Sequence, residues 1–465
     1  MSTKLSIPTQ SGSGPRYRLL ADTICDAIHR GDISPGEKLP PVRDLAWSLK
    51  ISPGAVARAY KLGVERGVLE AVVGRGTFAR ASGSAPVYAL DALIAEAPEG
   101  NIDLRGNQAV DVGQDREIGA ALTRLIARYD GAPPLTGYRQ REDDPEATEA
   151  LAGWLRQKGV PAEADRLLVT SGAQAGVVAV LSLLARGGGR VLTQHTAHPG
   201  LRDGVSAIGV RFDPITSDED GIVPDALDQA CARNRPDAIE ITATLHNPTL
   251  TIMGEQRRRD IAEIARRHGV PIVEDDVYGQ LIDNPPPTFA EIAPDICWYV
   301  SSLSKCVAAG IRAGLLLTPP GRTVPTFRAY QALAHQTPWL VKALAAEVVA
   351  GGEADQIRSR VAAETRERAA LCAEILGPYG ARTHPAASFA YLPLPDPWTS
   401  PEFVATAAAG GVLVPPASIY RTARGGPEFT RVALGARVTR ERLRDGMIRL
   451  AMILRDGPEA AGSVT

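Results

Sequence analysis

The sequence predicts an α/β protein in two parts. A small N-terminal unit of helices and a hairpin precedes a larger unit with a mostly parallel central sheet and a smaller C-terminal α+β lobe. Three observations carry this. The chain has 465 residues, 44% of them apolar, too many for one core. Its charge is divided: residues 1–81 carry a net +5 and the remainder −7, for a total of −2. From about residue 101, strand-like apolar runs alternate with helical ones, the pattern of a parallel sheet covered on both faces.

Composition excludes several classes. Near-neutral charge with this apolar content is not that of a disordered chain. Five cysteines, an odd number without a Cys-x-x-Cys pair, suit a reducing cytosol rather than a disulfide framework. Residues 1–16 are polar and do not read as a signal peptide. The longest uncharged run, Leu167 to Ala185, contains Ser171, Gly172 and Gln174 and reads as strand, loop and buried helix, not as a membrane span. The expectation is a cytoplasmic protein without a membrane partner.

In residues 16–30, Leu19, Leu20, Ile24 and Ile28 recur at helical spacing. Residues 41–50 form a short helix opened by Pro41. A third helix begins with Ser52 as N-cap and Pro53 at its first position, and places Val56, Tyr60 and Val64 in a stripe. "VLEAVVGRGTFAR" reads as a hairpin with a Gly-Arg-Gly tip. Three helices and a hairpin make a winged helix-turn-helix over residues 1–81. Residues 82–100, rich in Ala, Ser and Pro, form a linker, part of it helical.

Strands are expected in "RLLVTSG", "GRVLTQH", "DAIEITAT", "VPIVEDD", "ICWYVSSLS" and "RAGLLLT". "EQRRRDIAEIARRHG" is an amphipathic helix with Ile261, Ile264 and Ala265 on one face. The second part spans residues 101–465, with a large portion to about 335 and a smaller lobe over about 336–455.

A basic module on an acidic body points to an anionic partner. Arg58 and Lys61 lie on the third helix, where arginine most often reads base edges. Arg43 opens the preceding helix, a place for phosphate contacts, and Arg75 at the hairpin tip suits a minor groove. The run from "ISPGEKLPPVRDLAWSLK" to "GRGTF" closely resembles the GntR family of winged-helix regulators. The resemblance implies double-stranded DNA as partner. The family's Ser-Arg-x-Thr-Val is replaced here by Ser52-Pro53-Gly54-Ala55-Val56.

One lysine stands out. The chain has seven lysines against 44 arginines, and Lys305 lies in the apolar, glycine-spaced "VSSLSKCVAAGIRAG". A lysine in an apolar pocket loses basicity and becomes a candidate Schiff-base former. Ser302, Ser304 and Arg312 flank it. "SGAQAG", between a strand and a helix, offers backbone N–H groups for a phosphate. Asn247 follows a strand and Asp275 ends a buried one, with Tyr278 one turn on; a carboxylate at the carboxyl end of a parallel strand faces a ligand. Lysine, aspartate, ring-oxygen donors and a phosphate cup together are the parts that pyridoxal phosphate requires.

The order Gly-x-Gln, Asn-Pro, Asp-x-x-Tyr, Ser-x-Ser-Lys and Gly-x-Arg resembles the fold-type I aminotransferases over roughly residues 101–455. The resemblance implies that Lys305 bonds the cofactor aldehyde and Asp275 pairs with the pyridine nitrogen, while Asn247 and Tyr278 hold the ring oxygen. It implies a phosphate cup of Gly172, Ala173, Gln174, Ser302, Ser304 and Arg312. It puts His198 at the ring-stacking position, Arg431 on a substrate carboxylate, and Tyr138 on the partner subunit's phosphate in a homodimer. No metal is expected. The sequence departs from the family at Leu250, at His198 where Tyr or Phe is usual, at Asp143, at Thr148 and at Ala387-Ser388.

A winged helix fused to an aminotransferase-like part resembles the MocR subgroup of GntR regulators over the whole chain. It implies a regulator that senses an amino-bearing effector at Lys305. Two other readings stay open: a working transaminase with a vestigial N-terminal part, and a scaffold with neither activity.

Overall fold

The computed structural model describes residues 16–30, 33, 36–65, 68–72, 76–79, 90–94, 96–138, 144–422 and 425–461. The chain divides into two compact units, residues 1–88 and 89–465.

In the first unit α1 (Arg16–Arg30), α2 (Val42–Leu49) and α3 (Pro53–Glu65) precede the antiparallel hairpin β1 (Leu69–Val72) and β2 (Gly76–Ala79). Leu20, Ile24, Leu45, Val56, Ala59, Tyr60, Leu69 and Ala79 form its core. Ser52 Oγ accepts from the Ala55 N–H at 3.2 Å, so α3 starts on the side-chain cap that the sequence suggested. The expected stripe needs one correction. Val64 is 37% exposed, and the buried face runs through Val56, Ala59, Tyr60 and Gly63 instead. That is helical spacing of i, i+3, i+4 and i+7. A Cβ on Gly63 would lie 2.6 Å from Leu69 Cδ1, so the glycine allows β1 to close against α3.

The second unit begins inside the expected linker. α4 (Asp91–Ile94) buries Leu93 beside Tyr420 and Phe429, and the Leu90 N–H donates to Asp203 at 2.7 Å. There follow β3 (Ile102–Asp103), α5 (Asp115–Ala127), α6 (Pro145–Arg156), β4 (Leu167–Thr170), α7 (Ala173–Leu184), β5 (Arg190–Thr193), α8 (Pro199–Ala207) and β6 (Arg211–Pro214). Next come the small hairpin β7 (Ser217–Asp218) and β8 (Gly221–Ile222), then α9 (Pro224–Asn234), β9 (Ala238–Ile241), α10 (Glu255–His268), β10 (Ile272–Asp275), α11 (Phe289–Ile292), β11 (Cys297–Ser302) and β12 (Gly314–Leu317).

All six expected strands are present, and with β6 they make a seven-stranded sheet of order β4-β12-β11-β10-β9-β5-β6. Its apolar runs alternate between two cores. Cys297 and Tyr299 of β11 face one, Trp298 and Val300 the other. Burial on both faces is why these strands read as continuous apolar stretches. The pairings are parallel except for β12, which is antiparallel to both neighbours. The reason is local. Only the short lysine-bearing connection joins β11 to β12, and a parallel return would need a full crossover.

After the sheet come α12 (Thr323–Ala334), α13 (Trp339–Ala350), α14 (Glu353–Leu376), β13 (Phe389–Pro393), α15 (Ser400–Ala409), β14 (Val412–Leu413), β15 (Phe429–Ala433) and α16 (Arg440–Ala461). The cores place the division between the two portions later than residue 335. Ala345, Val348, Ile357 and Val361 belong to the sheet's core, and the lobe core begins at Ala369. Ile102 and Leu104 join that lobe core, because β3 pairs in parallel with β14.

Candidate functional site

The carboxyl ends of β4, β9, β10 and β11 point to one edge of the sheet, where open α/β sheets bind ligands. One cavity there is lined by Ala173, Gln174, His198, Asn247, Asp275, Tyr278, Ser302, Ser304, Lys305 and Arg312. Residues spread from 173 to 312 in sequence thus share one space. Each ends a strand, lies in the first turn of a helix, or sits in the connection between.

Lys305 sits in the β11–β12 connection. Its Nζ donates to the Asn107 carbonyl at 2.6 Å and lies 5.9 Å from the Tyr278 ring centroid. Burial pushes its pKa down to about 8, helped by the positive charge of Arg431 and opposed by Asp275. A fraction of the amine is therefore neutral, hence nucleophilic, near neutral pH. Asp275 ends β10. Burial and the neighbouring Asp276 raise its carboxyl to about 7, while Lys305 acts in the opposite direction. Its Oδ1 is buried without a hydrogen-bond partner among the described residues, as is Asn247 Oδ1. His198 stands at the start of α8, and burial lowers its pKa to about 3, so it is neutral.

Gly172 precedes α7 at φ +92°, a backbone region that favours glycine. A Cβ there would lie 2.6 Å from Arg312 Nη2. The first N–H groups of α7 and the Arg312 guanidinium therefore face one spot, a natural anion cradle. Arg312 is itself left-handed at φ +57°, and its Nη2 donates to the Ser171 carbonyl at 3.4 Å. Ser302 and Ser304 are buried beside it.

Arg431 on β15 is fully buried but does not line the cavity. It donates to the Arg105 carbonyl and lies 5.4 Å from the Tyr420 ring centroid. Among the described residues no carboxylate pairs with it, and its Nε is buried without a partner. Its charge still reaches Lys305, His198 and Tyr278. Tyr138 lies elsewhere. It is 81% exposed and stacks on His335 at 4.7 Å.

The sequence reading missed Asn107. Its Nδ2 donates to Tyr278 Oη at 3.0 Å while its carbonyl holds Lys305, so it ties the lysine to the tyrosine. Thr242 and Val277 also line the cavity unforeseen. None carries a local motif signal; only the fold brings residue 107 to residue 305. Of the five departures, Leu250 adopts φ +68°, where the family pattern has glycine, and Thr148 Oγ1 donates to the Asp144 carbonyl at 3.3 Å in the first turn of α6. Asp143 lies outside the described residues.

In the first unit, Arg43, Arg58 and Lys61 are all exposed, Arg58 and Lys61 one helical turn apart on α3. The exposed Ser52, Pro53 and Gly54 leave the amino end of α3 without the long side chains of the family pattern. Arg75 lies outside the described residues. Among the described residues no helix is long and apolar enough to cross a membrane, and no cluster could hold a metal ion.

Residues 109–450 match aminotransferase class I and II. The chain belongs to that family. Residues 16–79 match the bacterial regulatory proteins of the gntR family, so the aminotransferase part is fused to a GntR winged helix, the arrangement of the MocR subgroup. The HTH-type transcriptional regulator YdeF of Bacillus subtilis (strain 168) is 27% identical over 98% of this chain and 97% of its own length. The pyridoxine biosynthesis regulator PdxR of Corynebacterium glutamicum is 26% identical over 70% and 69%. Among solved structures, the α-aminoadipate aminotransferase LysN of Thermus thermophilus superposes with a TM-score of 0.70 at 20% identity, over 79% of this chain and 96% of its own.

The aminotransferase class I and II fold family depends on pyridoxal phosphate, and the residues present suit that group. The orphaned Asp275 Oδ1 is an acceptor that a protonated ring nitrogen would satisfy, and the Gly172–Arg312 cradle has the chemistry of a phosphate site.

Proposed function

We propose that the protein is a transcriptional regulator that binds double-stranded DNA through residues 16–79 and senses an amino-bearing effector at Lys305. The observation that carries this is the fusion itself. Arg43, Arg58 and Lys61 lie exposed on a GntR winged helix, in the same chain as a cavity built around a lysine of lowered pKa. Pyridoxal phosphate supplies an aldehyde that captures primary amines.

The chain's own residues divide the remaining work. Lys305 would be the attachment point for the cofactor aldehyde, the position for which an effector amine would compete. Asp275 holds a proton at the ring nitrogen. Asn247 and Tyr278 donate to the ring oxygen, and His198 covers the ring face as a neutral imidazole. Gly172, Ala173, Gln174, Ser302, Ser304 and Arg312 bind the phosphate. Arg431, buried without an acidic partner, receives the effector's carboxylate. Tyr138, exposed and away from its own cavity, completes the phosphate site of a partner subunit in a homodimer. Such a protein works in the cytoplasm.

The effector alters DNA binding only through its different affinity for the two states of the protein. The test is a mobility-shift assay with a duplex from the gene's own upstream region, with and without candidate amines. Lys305→Ala is expected to abolish the visible absorbance of the lysine-bound cofactor and to keep DNA binding, but to lose the response to amine. Absence of binding to any genomic fragment overturns the regulator reading. The complete cofactor set favours one second reading, a working transaminase. Sustained keto-acid output over many turnovers would establish it.

A further inference from the structure

A second cavity, of about 540 Å³, adjoins the lysine cavity. The two share no lining residue, but they share a turn: Asn247 lines the first, while His246 and Thr249 line the second. One wall comes from the end of β5 and the β7–β8 hairpin. The other comes from the C-terminal lobe, through Arg382, Tyr391, Arg421 and Phe429.

The two arginines of this cavity keep guanidinium N–H groups without a carboxylate partner among the described residues. The Arg382 guanidinium lies over the Tyr391 ring at 4.3 Å, and no carboxylate pairs with it among the described residues. Arg421 is held at Nη2 by the Pro427 carbonyl at 2.6 Å and by Glu428 at 3.2 Å, yet its Nε is buried with no partner among the described residues. The acids on the opposite wall are Asp218, tied to Arg257 at 3.1 Å, and the exposed Glu219. Tyr391 and Phe429 line the cavity with Pro427; the two rings stack on each other at 4.7 Å and 26° and are largely buried.

The far wall is a chain of hydroxyls. Thr251 and Thr249 are 3.0 Å apart, and Thr249 Oγ1 lies 2.8 Å from His246 Nδ1. His246 Nε2 donates to the Thr196 carbonyl at 2.9 Å, so Nδ1 is the acceptor and Thr249 the donor. This fixes the hydroxyl protons and leaves Thr251 to donate to Thr249. The imidazole adds no positive charge of its own, because burial keeps it neutral.

We propose that this cavity is a second ligand site, for a small organic monocarboxylate with an apolar body. Tyr391, Phe429 and Pro427 give the apolar body its contacts. Arg421 Nε and the Arg382 guanidinium take the carboxylate, and a charge-assisted bond to a buried N–H is the strong kind. Glu219, on the facing wall, selects against a dianion. The ligand needs no amine, so the proposal stands apart from the reading of Lys305.

The test is calorimetric titration of benzoate into the full-length protein carrying bound pyridoxal phosphate. Benzoate has no amine to react at Lys305. The expected result is saturable binding of one benzoate per chain, with neutral benzamide at least about tenfold weaker. Arg382→Gln and Arg421→Gln are each expected to weaken benzoate about tenfold or more, and Arg431→Gln to leave it unchanged. Arg421→Gln also frees the Pro427 carbonyl; Arg382 is exposed and bonds no loop carbonyl, so its variant carries the test alone if the other misfolds. Three results overturn the proposal: no saturation, equal binding of benzamide, or loss of binding in Arg431→Gln with both cavity variants unaffected. Tighter binding of phenyl phosphate than of benzoate overturns the monocarboxylate assignment.

Discussion

The lysine cavity makes a quantitative demand on Lys305. Its pKa falls from 10.5 to about 8. At pH 7.5 an ordinary lysine is about 0.1% neutral, whereas one at about 8 is roughly a quarter neutral, a gain of about 200-fold in free amine. The perturbation that tests the cause is Arg431→Gln. Arg431 is the largest contributor after burial, so its removal should move the inflection upward, while Asp275→Asn should move it downward. The assay is the pH dependence of modification by an amine-reactive reagent on cofactor-free protein, read by peptide mass spectrometry. Seven lysines make the map simple. An inflection near 10.5 at Lys305 would refute the claim of a desolvated amine. An unchanged inflection in Arg431→Gln would refute the part assigned to Arg431, and with it the placement of that guanidinium near the lysine.

Three further outcomes follow from the same geometry. Asp275 rises from 3.8 to about 7 in the folded chain, so between these values the folded state holds a proton that the unfolded state has released, and stability falls as pH rises through that window. Cofactor-free Asp275→Asn is therefore expected to melt higher than wild type at pH 8 and to retain cofactor less well; a lower melting temperature would sink the account. Gly172→Ala forces a Cβ to 2.6 Å from Arg312 at φ +92°, and is expected to cost about 1–2 kcal/mol of stability and to weaken cofactor binding, both visible in thermal melts with and without cofactor. Arg58→Ala should remove most of the DNA shift at an unchanged melting temperature, since the residue is exposed; a wild-type shift would remove α3 as the reading helix.

Much of the site was legible because its residues sit at the ends of regular elements. Asp275 closes an apolar strand, Asn247 follows one, and Gly172 stands between a strand and a helix. A polar residue that ends an apolar run is visible in a linear sequence. Asn107 was not legible, since its meaning comes from contacts with Tyr278 and Lys305, more than 170 residues away. Val64 was misplaced for a related reason. Spacing gives the period of a helix, but which of two adjacent stripes is buried depends on where β1 closes against α3.

The sequence by itself determined the two-part plan, six of the seven strands of the large sheet, and the lysine with its ring of donors. These rest on periodicity, capping and residue chemistry, which act over a few positions. Tertiary structure alone decided the rest. It reversed β12, because a short connection cannot make a crossover. It carried Ile102 and Leu104 into the C-terminal core, because β3 pairs with β14 about three hundred residues on. It lowered the Lys305 pKa, because desolvation is a property of everything packed around a charge and not of its neighbours in sequence.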